Sequence, residues 1–173
     1  MNRREKIVYT AILTATALIL AYVESIISFG VILPGVKLGL SNISVVVALY
    51  TIGFPYAVVI GILKCFISLM IFGRLSGLFY SLSGIILAII TMYLLKKIKH
   101  LSLLSVNIGG SFFHIIGQLI AASVMLGSSD VWTLFPLLGA LSIVSGAITY
   151  IPEHITLNTI LKIKTKRGKL NVE

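Results

Sequence analysis

Of the 173 residues, 58% are hydrophobic and 11% charged, with a mean hydropathy of +1.09, more apolar surface than a soluble domain of this length can hide. The formal net charge is +9, but the cations sit between apolar runs, which assigns them to membrane topology and removes the need for a nucleic-acid partner. A single cysteine, Cys65, lies within an apolar run and excludes an intrachain disulfide framework or a Cys-based metal site.

A hydrocarbon core of ~30 Å asks for ~20 apolar residues per helix. On that measure the sequence predicts an all-α integral membrane protein of six spans, at 7–29, 36–53, 57–73, 77–95, 104–127 and 135–161, with a basic tail over 162–173. The first span follows "MNRREK". Its apolar stretch runs too far for a secretory h-region and no small-residue cleavage site follows, so it is read as a retained helix. Ala11/Ala15 and Ala17/Ala21 give it two Ala-x-x-x-Ala spacings, which let another helix approach closely, and Glu24 stands near its outer end, where it can pair with a cation such as Lys37, Lys64 or Arg74.

"PGVKLGLSN", residues 34–42, joins the first two spans. If the second helix starts just after Pro34 and Gly35, then Lys37, Ser41, Ser44 and Ala48 share a stripe, with Asn42 beside it. The free N–H groups of that helix start, together with Lys37, favour an anion. In the third span Lys64 falls about seven residues in, ~10 Å deep. Snorkelling is one explanation. Mid-span depth argues instead for a cavity, a partner or a ligand, since a buried charge costs ~2.5–3.5 kcal/mol on insertion scales. Gly61 and Ser68 leave space around Lys64, and Arg74 follows at the span's end.

"KKIKH" closes the fourth span, and the fifth carries "GGSFFHIIGQLIAA". His114 and Gln118, four apart, share a face with Gly110, Gly117 and Ala121, the opposite of a lipid-facing stripe. Interhelical hydrogen bonding explains such a stripe as well as a pocket wall does. The depth of His114 matches that of Lys64, so the two can line one cavity. Glu153 and His154, beside Pro152 in the sixth span, read as a local kink or an inner-face contact.

With a cytoplasmic N-terminus, the inner side collects 11 of the 14 cations, leaving Lys37, Lys64 and Arg74 for another purpose. Both termini are then cytoplasmic. GxxxxGK[ST], HExxH and GxSxG are all missing, and the five carboxylates are scattered. Nothing calls for catalysis, a metal or a cofactor.

"PGVKLGLSN" together with "HIIGQLIAA" resembles the family that goes by the names heptaprenyl diphosphate synthase component I and Gx transporter, over nearly the whole chain. The second motif departs from it in having Ile115 directly after the histidine. That family is similar to the S components of energy-coupling-factor transporters. The resemblance implies a six-helix, multi-pass plasma-membrane protein with both ends cytoplasmic and surrounded by membrane lipid. It further implies one transmembrane coupling subunit and two ATPase subunits as partners, with Ala11 and Ala15 on the coupling contact. The expected site, lined by Lys37, Asn42, Lys64, Arg74, His114 and Gln118, would take a small anionic or phosphorylated compound from outside; the family names suggest a flavin-like compound, a quinone precursor or an isoprenoid diphosphate. Two alternatives stay open: a non-catalytic membrane subunit of isoprenoid or quinone biosynthesis, and a stand-alone channel or carrier. A prenyl synthase active site would need aspartate-rich motifs, and Asp130 is the only aspartate.

Overall fold

A computed structural model describes residues 2–27, 39–72 and 75–170. Among these residues there are six α-helices: α1 (Arg3–Ile27), α2 (Ile43–Thr51), α3 (Phe54–Phe72), α4 (Leu75–Lys96), α5 (Leu103–Leu126) and α6 (Phe135–Leu170). Short 3-10 turns, Leu40–Asn42 and Asp130–Leu134, lead into α2 and α6.

Five helices are long and apolar enough to cross a membrane. The second is not, and the expected span over 36–53 is corrected to the twelve residues Leu40–Thr51. The cause is backbone conformation at two glycines. Gly39 sits at φ +73° and Gly53 at φ +106°, the left-handed region where glycine alone is at ease, so the right-handed helix cannot extend through either. Twelve residues cover only ~18–20 Å, short of a bilayer core.

What α2 lacks in length it gains in burial. Every residue from Ile43 to Leu49 is buried, as expected of a helix that is apolar all round. It lies against α3, α6 and α1, and Val45, Val46, Ala48 and Leu49 join Ile60, Ile85, Ile89, Met92 and Val106 in the main apolar core. On the other side of that core, α4 packs on α3 and α5, and α5 packs on α6.

The outer surface is as apolar as the core. Ile12, Ile19, Met70, Phe79, Val124 and Ile155 are all exposed, while Glu24, Ser41, Ser44, Lys64, Asn107, Thr149 and Glu153 are buried. Water would not tolerate that arrangement, and a bilayer favours it. Short caps turn the chain between spans: the Ser102 hydroxyl accepts from the Ser105 N–H at 3.2 Å to open α5, and Gly127, at φ +62°, closes it.

Candidate polar site at the entry to the buried helix

The left-handed turn at Gly39 delivers the chain into α2 with three polar groups pointing inward. The Gly39 N–H donates to Glu24 Oε1 at 2.5 Å, tying the end of α1 to the entry of α2. Directly after it, Ser41 and Asn42 accept from Lys64: Nζ donates to Ser41 Oγ at 3.1 Å and to Asn42 Oδ1. Glu24 is 3% exposed and Lys64 7%. Neither charge reaches the surface, so snorkelling does not account for Lys64.

Because α3 begins at Phe54, three residues before the expected start, Lys64 lies ~15 Å from one end of the helix and ~12 Å from the other. Ser44, one turn along α2 from Ser41, is 1% exposed, and its hydroxyl has no hydrogen-bond partner among the described residues. A methyl group on Gly39 would stand 3.5 Å from both Asn42 Nδ2 and Ser145 Oγ, which brings α6 to the edge of the same cluster. Four helices thus meet around one buried cation and one buried anion.

His114 and Gln118 occupy the α4–α5 crossing. Gly84 faces His114 so closely that a Cβ there would come within 2.9 Å of the imidazole, and Ser83 Oγ donates to the Gly117 carbonyl at 2.6 Å. Gln118 is partly buried one turn on. The polar and small stripe read from the sequence therefore faces inward, against α4. Gly61 of α3 abuts Ile85 and Ile89 of α4, so Lys64 and His114 flank α4 within about a turn of one level. Lys37 and Arg74 lie outside the described residues.

Asn107 and Glu153 are buried polar groups outside the expected site. Asn107 Nδ2 donates to the Gly146 carbonyl at 2.7 Å and to Thr149 Oγ1 at 2.9 Å, pinning α5 to α6. Its sequence signal, a lone amide amid small residues in "SVNIGGS", matches the one that marked Gln118. Glu153 is completely buried with neither carboxyl oxygen hydrogen-bonded among the described residues. His154 does lie on the surface, 2.9 Å from Asn158 and stacked on Tyr150.

On α1 the two alanine pairs part company. Ala11 and Ala15 are exposed among Val8, Ile12 and Ile19, whereas Ala17 is 0% exposed inside the bundle. Among the described residues no group of three His, Cys, Asp or Glu side chains is placed to hold a metal ion.

Comparison with known proteins adds one finding. A family model described as heptaprenyl diphosphate synthase component I matches residues 13–154, which include Glu24, Asn42, Lys64, His114 and Gln118. No curated protein and no solved structure gave a match. Since the family model spans most of the chain, this protein belongs to the heptaprenyl diphosphate synthase component I family.

Proposed function

We propose that this protein is a membrane-embedded binding component, similar in role to the S component of an energy-coupling-factor transporter, which takes a small molecule with an anionic group into the Lys64 cluster from outside the cell. The observation that carries this reading is Lys64, an ammonium 7% exposed near the middle of a membrane-length helix and held on the oxygens of Ser41 and Asn42. Stability alone is a poor reason for such a group, because an apolar side chain of similar volume often serves a buried position as well or better. Hydroxyl and amide acceptors can give way to a phosphate or carboxylate, which adds the attraction of a full negative charge to the ammonium.

His114 and Gln118 extend the site across α4, and Lys37 and Arg74 are proposed to complete its outer rim. Both termini are cytoplasmic in this proposal, and the membrane is the plasma membrane. The exposed Ala11 and Ala15 offer a transmembrane coupling subunit a close approach to α1. Two ATPase subunits then supply the energy, and the chain itself catalyses nothing and needs no cofactor.

The test is Lys64→Met. Small molecules released on denaturing the purified wild-type and variant proteins are quantified by mass spectrometry. The variant should retain at least tenfold less of the bound compound, a difference of ~1.4 kcal/mol, while still folding. Equal retention would sink the assignment.

A second reading has one observation in its favour, the family's own description, which ties it by name to heptaprenyl diphosphate synthesis. On that reading the chain is a non-catalytic membrane subunit that holds a soluble prenyl synthase at the bilayer.

A further inference from the structure

The Lys64 cluster holds two buried charges of opposite sign. Lys64 and Glu24 are 7% and 3% exposed, and the residues between Gly39 and Asn42 touch both: the Gly39 N–H bonds the carboxylate, and the Ser41 and Asn42 oxygens bond the ammonium. Among the described residues the site thus presents both signs of charge side by side. A ligand that is only an anion would find Lys64 but would also place its charge next to Glu24 in a medium that screens poorly. A ligand that is only a cation would meet the reverse difficulty.

From this arrangement we infer that the ligand is bipolar: one end carries an anionic acceptor for Lys64 and the other a cationic or strong N–H donor for Glu24. The inference rests on the proposal that this cluster is a ligand site, and it narrows the class of compound that site takes. Zwitterions such as amino acids and aminoalkyl phosphates fit it. A compound charged at one sign alone leaves either Lys64 or Glu24 without a ligand group of opposite sign.

The exchange on binding conserves hydrogen bonds. The anionic end replaces Ser41 Oγ and Asn42 Oδ1 on the ammonium, and the donor end replaces the Gly39 N–H on the carboxylate. The Ser41 hydroxyl, the Asn42 amide and the Gly39 N–H are then free to bond the ligand's own polar atoms. Ser44 adds a buried hydroxyl, one turn deeper on the same helix, whose hydrogen bonding is unmet among the described residues and which is set for a further ligand group. Ser145 of α6 borders the same turn at Gly39. A left-handed Gly39 lets the main chain come this close to Glu24 without a side chain between them.

The experiment uses the full chain in lipid nanodiscs and a defined probe mixture: ethyl phosphate as the anion, ethylamine as the cation, and phosphoethanolamine with the zwitterionic amino acids as bipolar compounds. Retention at equilibrium is read by mass spectrometry for wild type, Glu24→Gln, Lys64→Met and the double variant. The double variant keeps the cluster neutral and guards against a single variant that fails to fold. The inference expects wild type to retain a bipolar probe at least tenfold over ethyl phosphate, with the preference lost in every variant that folds. Retention of ethyl phosphate equal to or above the bipolar probes, unaffected by Glu24→Gln, would overturn the bipolar ligand while leaving the Lys64 site standing. Identical retention of all probes by wild type and Lys64→Met, or retention of none, would overturn the site and the inference with it.

Discussion

At the α4–α5 crossing the backbones approach so closely that Gly117 is the only residue type with room. A Cβ built on it meets Ser83 O at 2.6 Å, and Gly84 Cα and Ser83 C at 2.9 Å, all of them main-chain atoms that cannot rotate away. Gly117→Ala must therefore push two helices apart, which in packed interiors costs ~1–3 kcal/mol, and the backbone identity of the struck atoms favours the upper half of that range. Separation also strains the Ser83 to Gly117 hydrogen bond, 2.6 Å long and worth ~0.5–1.5 kcal/mol. Replacing glycine in a helix returns up to ~1 kcal/mol. The net expectation is a loss of ~2 kcal/mol. Gly109 supplies the internal control, because a Cβ there strikes only the terminal Cδ1 of Leu95, at 2.5 Å, and a leucine tip can adopt another rotamer. Reversible unfolding in mixed micelles, followed by far-UV circular dichroism and by the fluorescence of the sole tryptophan, Trp132, reads both variants. Should Gly117→Ala fall within ~0.5 kcal/mol of wild type, or match Gly109→Ala, the reasoning about this crossing is refuted.

Three further outcomes follow from the buried polar groups and the outer face of α1. Asn107→Leu removes two bonds from α5 to α6 and should cost ~1 kcal/mol in the same unfolding assay; interhelical bonds in membranes average ~0.6 kcal/mol each, so a stabilised variant would contradict the role given to the amide. Glu153→Gln, which keeps shape without a charge, should unfold within ~1 kcal/mol of wild type, whereas Glu153→Lys should cost ~3 kcal/mol or more, because it puts a longer, charged side chain into a fully buried position; equal behaviour of the two would show that this carboxyl is not sealed from water. Ala15→Trp projects from an exposed position and should leave the unfolding midpoint unchanged while reducing co-purification of a coupling subunit at least tenfold; undiminished recovery would move the partner contact elsewhere.

Much of the bundle could be read from hydropathy because long apolar runs and short polar joints are separated by length alone. The exception is instructive. Residues 43–51 are as apolar as any membrane span, and only the left-handed angles at Gly39 and Gly53 reveal that the helix stops short. A glycine permits such an angle without requiring it, so the letters do not distinguish a helical glycine from a terminating one. Depth counting along a helix placed Lys64 about seven residues into its span, and the earlier start of α3 at Phe54 puts it ten residues in, where the ammonium is buried and bonds Asn42. The face shared by His114 and Gln118 was equally legible through four-residue spacing. Glu24 was legible as a partner for a nearby cation but not for the bond it makes to a main-chain N–H fifteen residues away, brought to it by a turn that spacing along a helix does not describe. The burial of Glu153 was not legible either, because Pro152 beside it is exposed and one step along a helix turns the next side chain by only ~100°, here into the bundle.

The account turns on whether this chain works as the binding component of a larger transporter, and the direct measurement is to identify what accompanies it out of its own membrane. The protein carries a C-terminal tag, is solubilised gently from its native host, and its co-purifying proteins are identified and quantified by mass spectrometry. A binding component should bring with it a transmembrane coupling subunit and two ATPase subunits in stoichiometric amounts, and lose them with Ala15→Trp. Recovery of a soluble prenyl synthase in their place would contradict it and assign the chain to polyprenyl diphosphate synthesis.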